Sequence, residues 1–252
     1  MGADATAALP QTCCPTVWMW PGLVLYAGPS LNLEPHSGSV WCFAAGIDGP
    51  LSVTTSDGTA EGASVLIPPR LTHKLGCFGG GLVSCYLEPT SVRAESCRNR
   101  MSRWHGEIGV DHAAQAELTF TPVDDRSACG WLDLAAPAAQ RAVDHRVAAA
   151  AQRIRVDPTT AVSAQELAAE AGLSESRFLH LFRDELGTSL RRYRIWVRLV
   201  HAGTVIAGGA NLTEAAVKAG FASPSHLADR FKSTFGLSAS QLLQTGLVVR
   251  TP

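Results

Sequence analysis

The carboxyl-terminal third of the chain carries one phrase twice, and this repetition restricts the fold more than any other feature of the sequence. The first copy runs from Ser163 to Gly187, the second from Asn211 to Gly236. In each, a capping residue stands three positions before a glutamate: Ser163 before Glu166, and Asn211 before Glu214. At that spacing a cap and the third helical residue satisfy each other's exposed amides, so a helix is predicted to start at both places. Small residues follow, Ala168 with Ala171 and Ala216 with Ala219, where a second helix must approach closely. Gly172 and Gly220 then supply a turn that has no side chain to accommodate. Ser174 and Ser223 cap the next helix, the latter with Pro224 at the first helical position, where a missing amide hydrogen costs nothing. Phe178 with Phe182, and Leu227 with Phe231, are four apart on one face and are assigned to the core.

Each copy therefore reads as helix, turn, helix. The residues left outward are Glu175, Ser176, Arg177, His180 and Arg183 in the first, and Ser225, His226, Asp229, Arg230 and Lys232 in the second. Between the copies, Arg191, Arg192, Arg194 and Arg198 cluster at the start of a connecting helix. From Asp157 onward ten Lys and Arg stand against eight Asp and Glu, a net of +2, while the rest of the chain is at −3. Two helices whose early residues reach base edges, entering successive major-groove segments about 34 Å apart, would suit double-stranded DNA, with the arginines on phosphates. The alternative for each of these charges is a solvated helix face.

The ordered set resembles the AraC/XylS family of transcription regulators over roughly residues 140 to 244. The family's pattern is a small residue, glycine, any residue, serine, then phenylalanine with a basic residue, then glycine-x-serine. It is met at Ala171-Gly172, Ser174, Phe182-Arg183 and Gly187-Thr188-Ser189, and again at Ala219-Gly220, Ser223, Phe231-Lys232 and Gly236-Leu237-Ser238. The connecting helix fits at Tyr193, Arg198-Leu199 and Ala202. Leu190 and Ala239 stand where the family usually has proline, so the helices after them are expected to begin less sharply. Asp229 falls where many relatives carry a basic residue, so the two copies are not expected to read sequence equally. The resemblance implies an all-α DNA-binding domain over residues 138–252, with the outward residues of both copies other than Asp229, together with Arg191, Arg192 and Arg194, on the DNA.

From Trp18 to Pro89 the sequence changes character. Short runs, Leu23–Tyr26, Val40–Phe43, Leu51–Thr54, Val65–Ile67 and Leu82–Leu87, are separated by Gly, Pro, Asp and Ser, which predicts a small antiparallel barrel or sandwich. Gly62 to His73 resembles the second cupin motif, with Arg70 where glycine is usual, whereas His36 alone represents the first. This implies a cupin-like sensor domain over residues 1–100, of the kind found before many AraC-family DNA-binding domains, and hence an α+β chain. A barrel interior would hold a small effector, with His36, Trp41, Phe43, His73 and Tyr86 as candidate lining, or simply as core. His36 and His73 with Cys42, Cys77 or Cys85 would offer nitrogen and sulfur to zinc or copper. No two cysteines have the spacing of a zinc knuckle, and reduced, buried thiols are the other reading. The odd count of seven argues against a complete set of disulfides. Adjacent Cys13 and Cys14 would suit a soft metal or an oxidant, or are incidental thiols of a tail.

Ser102–Glu117 and Ala138–Arg155 are predicted helical, with residues 101–137 as a helical linker and the resemblance implying a homodimer through it. The later helix is expected to pack on the first helix-turn-helix. At 252 residues and 46% apolar, the chain can bury two cores. No stretch approaches the roughly 20 apolar residues of a membrane span, and no basic segment followed by an apolar one opens the chain, so a soluble cytoplasmic protein is expected. The expected function is a DNA-binding transcription regulator controlled by a small effector in the amino-terminal barrel. The alternative is a metal- or thiol-sensing regulator using the His and Cys residues above. A metal-dependent cupin enzyme needs three or four converging ligands, and its motifs here supply His36 and His73 only, so no enzymatic activity is expected and no cofactor beyond the metal of the alternative reading.

Overall fold

The computed structural model describes residues 15–20, 22–138, 143–160 and 162–252, which leaves Cys13 and Cys14 outside the described residues. The amino-terminal strands are β1 (Thr16–Trp20), β2 (Leu23–Pro29), β3 (Trp41–Gly46), β4 (Leu51–Thr55), β5 (Gly58–Gly62), β6 (Ser64–Ile67), β7 (Lys74–Cys77) and β8 (Gly81–Leu87). After α1 (Val92–Arg98) come β9 (Met101–His105), β10 (Ile108–His112) and α2 (Asp125–Ala135). Eight strands form one sheet in the order β11-β1-β2-β8-β3-β6-β10-β9, where β11 is Val248–Arg250, and three form another in the order β5-β4-β7. The result is two facing sheets, the sandwich form of the barrel or sandwich expected from the sequence, within the expected α+β class.

The large sheet is buried on both faces, and period-two alternation sorts its side chains. Trp18, Leu25, Phe43, Leu66, Cys85 and Leu87 face one way, onto Ala94 and Cys97 of α1 and Ala128, Trp131 and Leu132 of α2. Val17, Val24, Tyr26, Cys42, Ala44 and Val65 face the other way, onto the small sheet and the carboxyl-terminal helices.

One sequence expectation, a helix over Ser102–Glu117, fails. Residues 101–112 form the β9–β10 hairpin, not a helix, turning at Gly106 with φ +59° and pairing through Gly109–Val110 with Leu66–Val65 of β6. Pairing with an existing sheet overrides the local helical preference. The helix that does form, α2, is capped reciprocally by Asp124 and Ser127 and spends its apolar face on the sheet, with the Trp131 indole donating to the Leu118 carbonyl at 3.2 Å.

The remaining helices are α3 (His145–Val156), α4 (Ala164–Glu170), α5 (Glu175–Leu186), α6 (Leu190–Ala207), α7 (Leu212–Lys218), α8 (Pro224–Phe235) and α9 (Ala239–Gln244). The caps fall where the sequence puts them: Ser163, Ser174, Asn211 and Ser223 each accept from the amide three residues on, and Ser163 and Glu166 complete a reciprocal box. Gly172 and Gly220 take the left-handed conformation at the turns, φ +65° and +72°. Ser189 and Ser238 cap α6 and α9 without the proline of the family pattern. As expected, α3 packs on the first helix-turn-helix, burying Val147, Ala151 and Ile154 in one cluster with Leu167, Phe178 and Phe182.

Candidate nucleic-acid interface and effector cavity

The first reader, α5, is amphipathic. Phe178, Phe182 and Leu186 are buried, Phe182 meeting Tyr193 of α6 edge-on at 5.6 Å. Glu175, Ser176, Arg177, His180 and Arg183 are all exposed on the opposite side. The second reader, α8, is less free. Ser225, Asp229 and Lys232 are exposed, whereas His226 and Arg230 are half-buried, the His226 ring standing 5.4 Å from Phe221. The Arg230 Nε is enclosed without a hydrogen-bond partner. Lys232 Nζ pairs with Glu34 at 3.0 Å.

The four spacer arginines divide into two pairs. Arg191 and Arg192 are exposed, Arg192 reaching the Ser37 hydroxyl at 3.4 Å. Arg194 donates to the Val162 carbonyl, and Arg198 to the Pro158 carbonyl at 2.9 Å, so both brace the connection between α3 and α4. Eighteen residues of α6 span about 27 Å, a stiff distance of the same order as the roughly 34 Å of one DNA turn.

The amino-terminal candidates scatter. His36 and His73 do meet, their rings 4.4 Å apart and their main chains bridged. Their Nδ1 atoms take the Glu34 and Leu71 carbonyls, and burial pushes the His73 pKa down to about 4, with His36 adding to the shift. Among the described residues, however, no group of three His, Cys, Asp or Glu side chains converges on a metal position. Cys42 and Cys85 are buried thiols held protonated by desolvation, Cys42 with its pKa pushed up to about 12. Trp41 lies half-buried with the Arg98 guanidinium 5.0 Å over its ring, and Phe43 packs against His112 and Trp131 on the far face of the sheet.

Tyr86 alone of the five lines an apolar cavity of about 140 Å³ between the large sheet and α6, α8 and α9. The sheet contributes Val17, Val24 and Tyr86, and the helices Leu199, Phe231 and Phe235. Tyr86 meets Phe235 edge-on at 5.4 Å. Apart from Tyr86, this lining was not foreseen from the sequence because its walls join residues about 150 apart in the chain, and nothing local marks Phe231 or Phe235 of α8 as lining.

Around the second reader the contact is also made by main chain. The Glu34 amide donates to the Gly236 carbonyl at 2.8 Å, and the Ser37 amide to Ser233 at 3.2 Å. Glu88, at the end of β8 and 2% exposed, accepts from Arg155 of α3 at 2.5 Å, from Thr90 at 2.7 Å and from the Tyr193 phenol of α6.

The helix-turn-helix domain family matches residues 167–245, from α4 through α9. No curated protein matches the chain in sequence. Among solved structures, the apo form of a lysine-to-alanine variant of ToxT from Vibrio cholerae strain SCE256 superposes with a TM-score of 0.60 at 12% identity, covering 90% of this chain and 98% of that one. Wild-type ToxT from the same strain, bound to an unsaturated fatty acid, gives 0.52 at 12% identity, covering 90% and 96%. A probable AraC family transcriptional regulator from Rhodopseudomonas palustris CGA009 is 27% identical over 40% of this chain and 96% of its own, with a TM-score of 0.37. At 12% identity the likeness to ToxT is one of fold: a sheet-rich amino-terminal half followed by a helical reader. Residues 167–245 thus carry a helix-turn-helix domain of the matching family, and the order of parts, a sheet-rich half before two capped helical motifs, is that of the ToxT fold.

Proposed function

We propose that the chain recognises one DNA duplex through α5 and α8, and that a small effector lodged where the large sheet meets α6, α8 and α9 controls how α8 is presented. The observation that carries this reading is the shared cavity: Phe231 and Phe235, one turn apart on the second reader, face the same space as Val24 and Tyr86 of the sheet. A molecule filling that space interacts differently with conformers in which α8 is docked or released, and only such a difference can shift their populations. That ToxT, which has this fold, binds an unsaturated fatty acid supports a ligand-dependent regulator. The outward residues of α5, with Arg191 and Arg192, are the proposed DNA contacts. On α8, Lys232 and Arg230 would join them once the contact with Glu34 opens.

In this reading the chain acts in the cytoplasm as a homodimer, needs no cofactor and catalyses no reaction. Metal or thiol sensing is the weaker reading, since the buried thiols are held away from the thiolate form that metals and oxidants require. The test is a selection of duplexes from random oligonucleotides by the full chain at moderate salt. Enrichment of a site with two contacted segments about 10 base pairs apart is expected, and recovery of no preferred sequence would exclude the reading.

A further inference from the structure

The cavity at the seam has walls of one chemical kind. Among its described lining residues none is Lys, Arg, His, Asp or Glu, and the polar side chains are four hydroxyls, on Tyr26, Ser30, Ser84 and Tyr86. One of these is already engaged: the Tyr26 phenol donates to the Pro29 carbonyl at 2.7 Å. Burial holds both phenols in the neutral form. A carboxylate entering this space would lose its hydration with no cation to replace it, whereas apolar surface gains about 25 cal/mol for every Å² removed from water. Size points the same way. The cavity's volume of about 140 Å³ is close to the roughly 150 Å³ at which an apolar protein cavity stays dry and takes benzene. Of the lining, Phe235 presents its ring to Tyr86 at 5.4 Å and to Phe231 at 4.7 Å, a setting in which one more ring finds edge and face partners.

We propose that the seam binds a neutral, largely apolar molecule about the size of one aromatic ring, carrying no more than a hydroxyl or carbonyl, and that it rejects carboxylates, the fatty acids among them. This rests on reading the seam as the effector site. It also separates the chain from the ligand-bound relative of the same fold, because an extended acyl chain would exceed the cavity and its carboxylate would lie unpaired.

Calorimetric titration and thermal melting of the full chain with toluene, p-cresol, benzoate and decanoate test the assignment. Toluene or p-cresol is expected to bind about 100-fold or more tightly than benzoate. Gly203 of α6 lines the cavity, and a Cβ there would meet the mobile end of Met19 at 2.6 Å, so Gly203→Leu fills the space and should abolish binding of the neutral probes. Val200→Phe is the second filling variant, and the probe series on the unaltered chain remains decisive if neither variant folds. Benzoate or decanoate binding as tightly as toluene, absence of binding by both neutral probes, or unchanged binding in a folded filled variant would each overturn the proposal. Fluorescence anisotropy on a selected duplex separates it from the reading beneath it. Toluene that binds without changing DNA affinity removes the effector role and leaves the cavity assignment standing. A carboxylate that changes DNA affinity while the neutral probes fail to bind does the reverse.

Discussion

Arg177 and His180 are exposed on α5 one turn apart, His180 followed by Arg183, and none of the three forms an ion pair among the described residues. A side chain so placed that contacts a base should contribute to discrimination, so Arg177→Ala or His180→Ala is expected to lower the preference for a selected duplex over random DNA by roughly 1–3 kcal/mol. Arg191→Ala should instead weaken binding to every duplex alike and reduce the salt slope by about one. Competition titrations at several salt concentrations measure both. His73 behaves differently because it is enclosed. Its folded pKa lies near 4 against 6.5 unfolded, so above pH 6.5 neither state holds the proton and stability is complete. Between pH 6.5 and 4 the unfolded chain takes a proton that the folded one refuses, and stability falls, by an amount on the order of 3 kcal/mol at the lower end. Urea denaturation at pH 7.5 and pH 5 should show a smaller difference in His73→Gln than in the unaltered chain. Sequence reasoning put His36 and His73 in one candidate set, and their rings do meet, yet it could not tell that Trp41 and Phe43 face α1 and α2 rather than the cavity beside α6, α8 and α9, because that depends on which side of the sheet each group of helices occupies.

The elements most legible in the sequence are those with local signals. Ser163, Ser174, Asn211 and Ser223 announce four helices because a cap needs only residues within one turn of it. The β9–β10 hairpin was illegible by that route, since its partner β6 lies about 45 residues earlier; Gly106 at its turn was the one local hint. The docking of α8 was equally hidden. It depends on Gly236, which ends the helix at φ +77° and whose missing Cβ would stand 2.6 Å from the Glu34 carbonyl oxygen and 2.7 Å from the His36 Nδ1. Gly236→Ala therefore combines an unfavourable backbone conformation with a collision, and should cost roughly 1–3 kcal/mol. Hydrogen exchange is expected to quicken at the Glu34 and Ser37 amides, which would otherwise remain bonded to α8. The Glu34–Lys232 pair contributes little to that docking, because both side chains are more than half exposed.

On the scale of the molecule, the two halves are joined through Glu88. Its carboxylate is enclosed between Arg155 of α3 and Tyr193 of α6, so removing it strands a half-buried guanidinium. Glu88→Ala should cost about 3 kcal/mol, and chemical denaturation that follows one transition in the unaltered chain should separate into two. The domain order was readable from composition and repeats, but this join was not, since a lone glutamate after an apolar run looks like any surface acid. A second tie is the parallel alignment of β11 with β1, Thr16 to Val248 and Trp18 to Arg250, the latter also 3.5 Å from Asp125 of α2. Cutting the chain after Leu247 would bare a row of main-chain donors and acceptors along β1, and a naked border of that kind recruits copies of itself. The shortened protein should then scatter light and elute as aggregates at concentrations where the unaltered one does not, so Val248–Arg250 act as a selvedge that keeps the sheet from fraying into its neighbours.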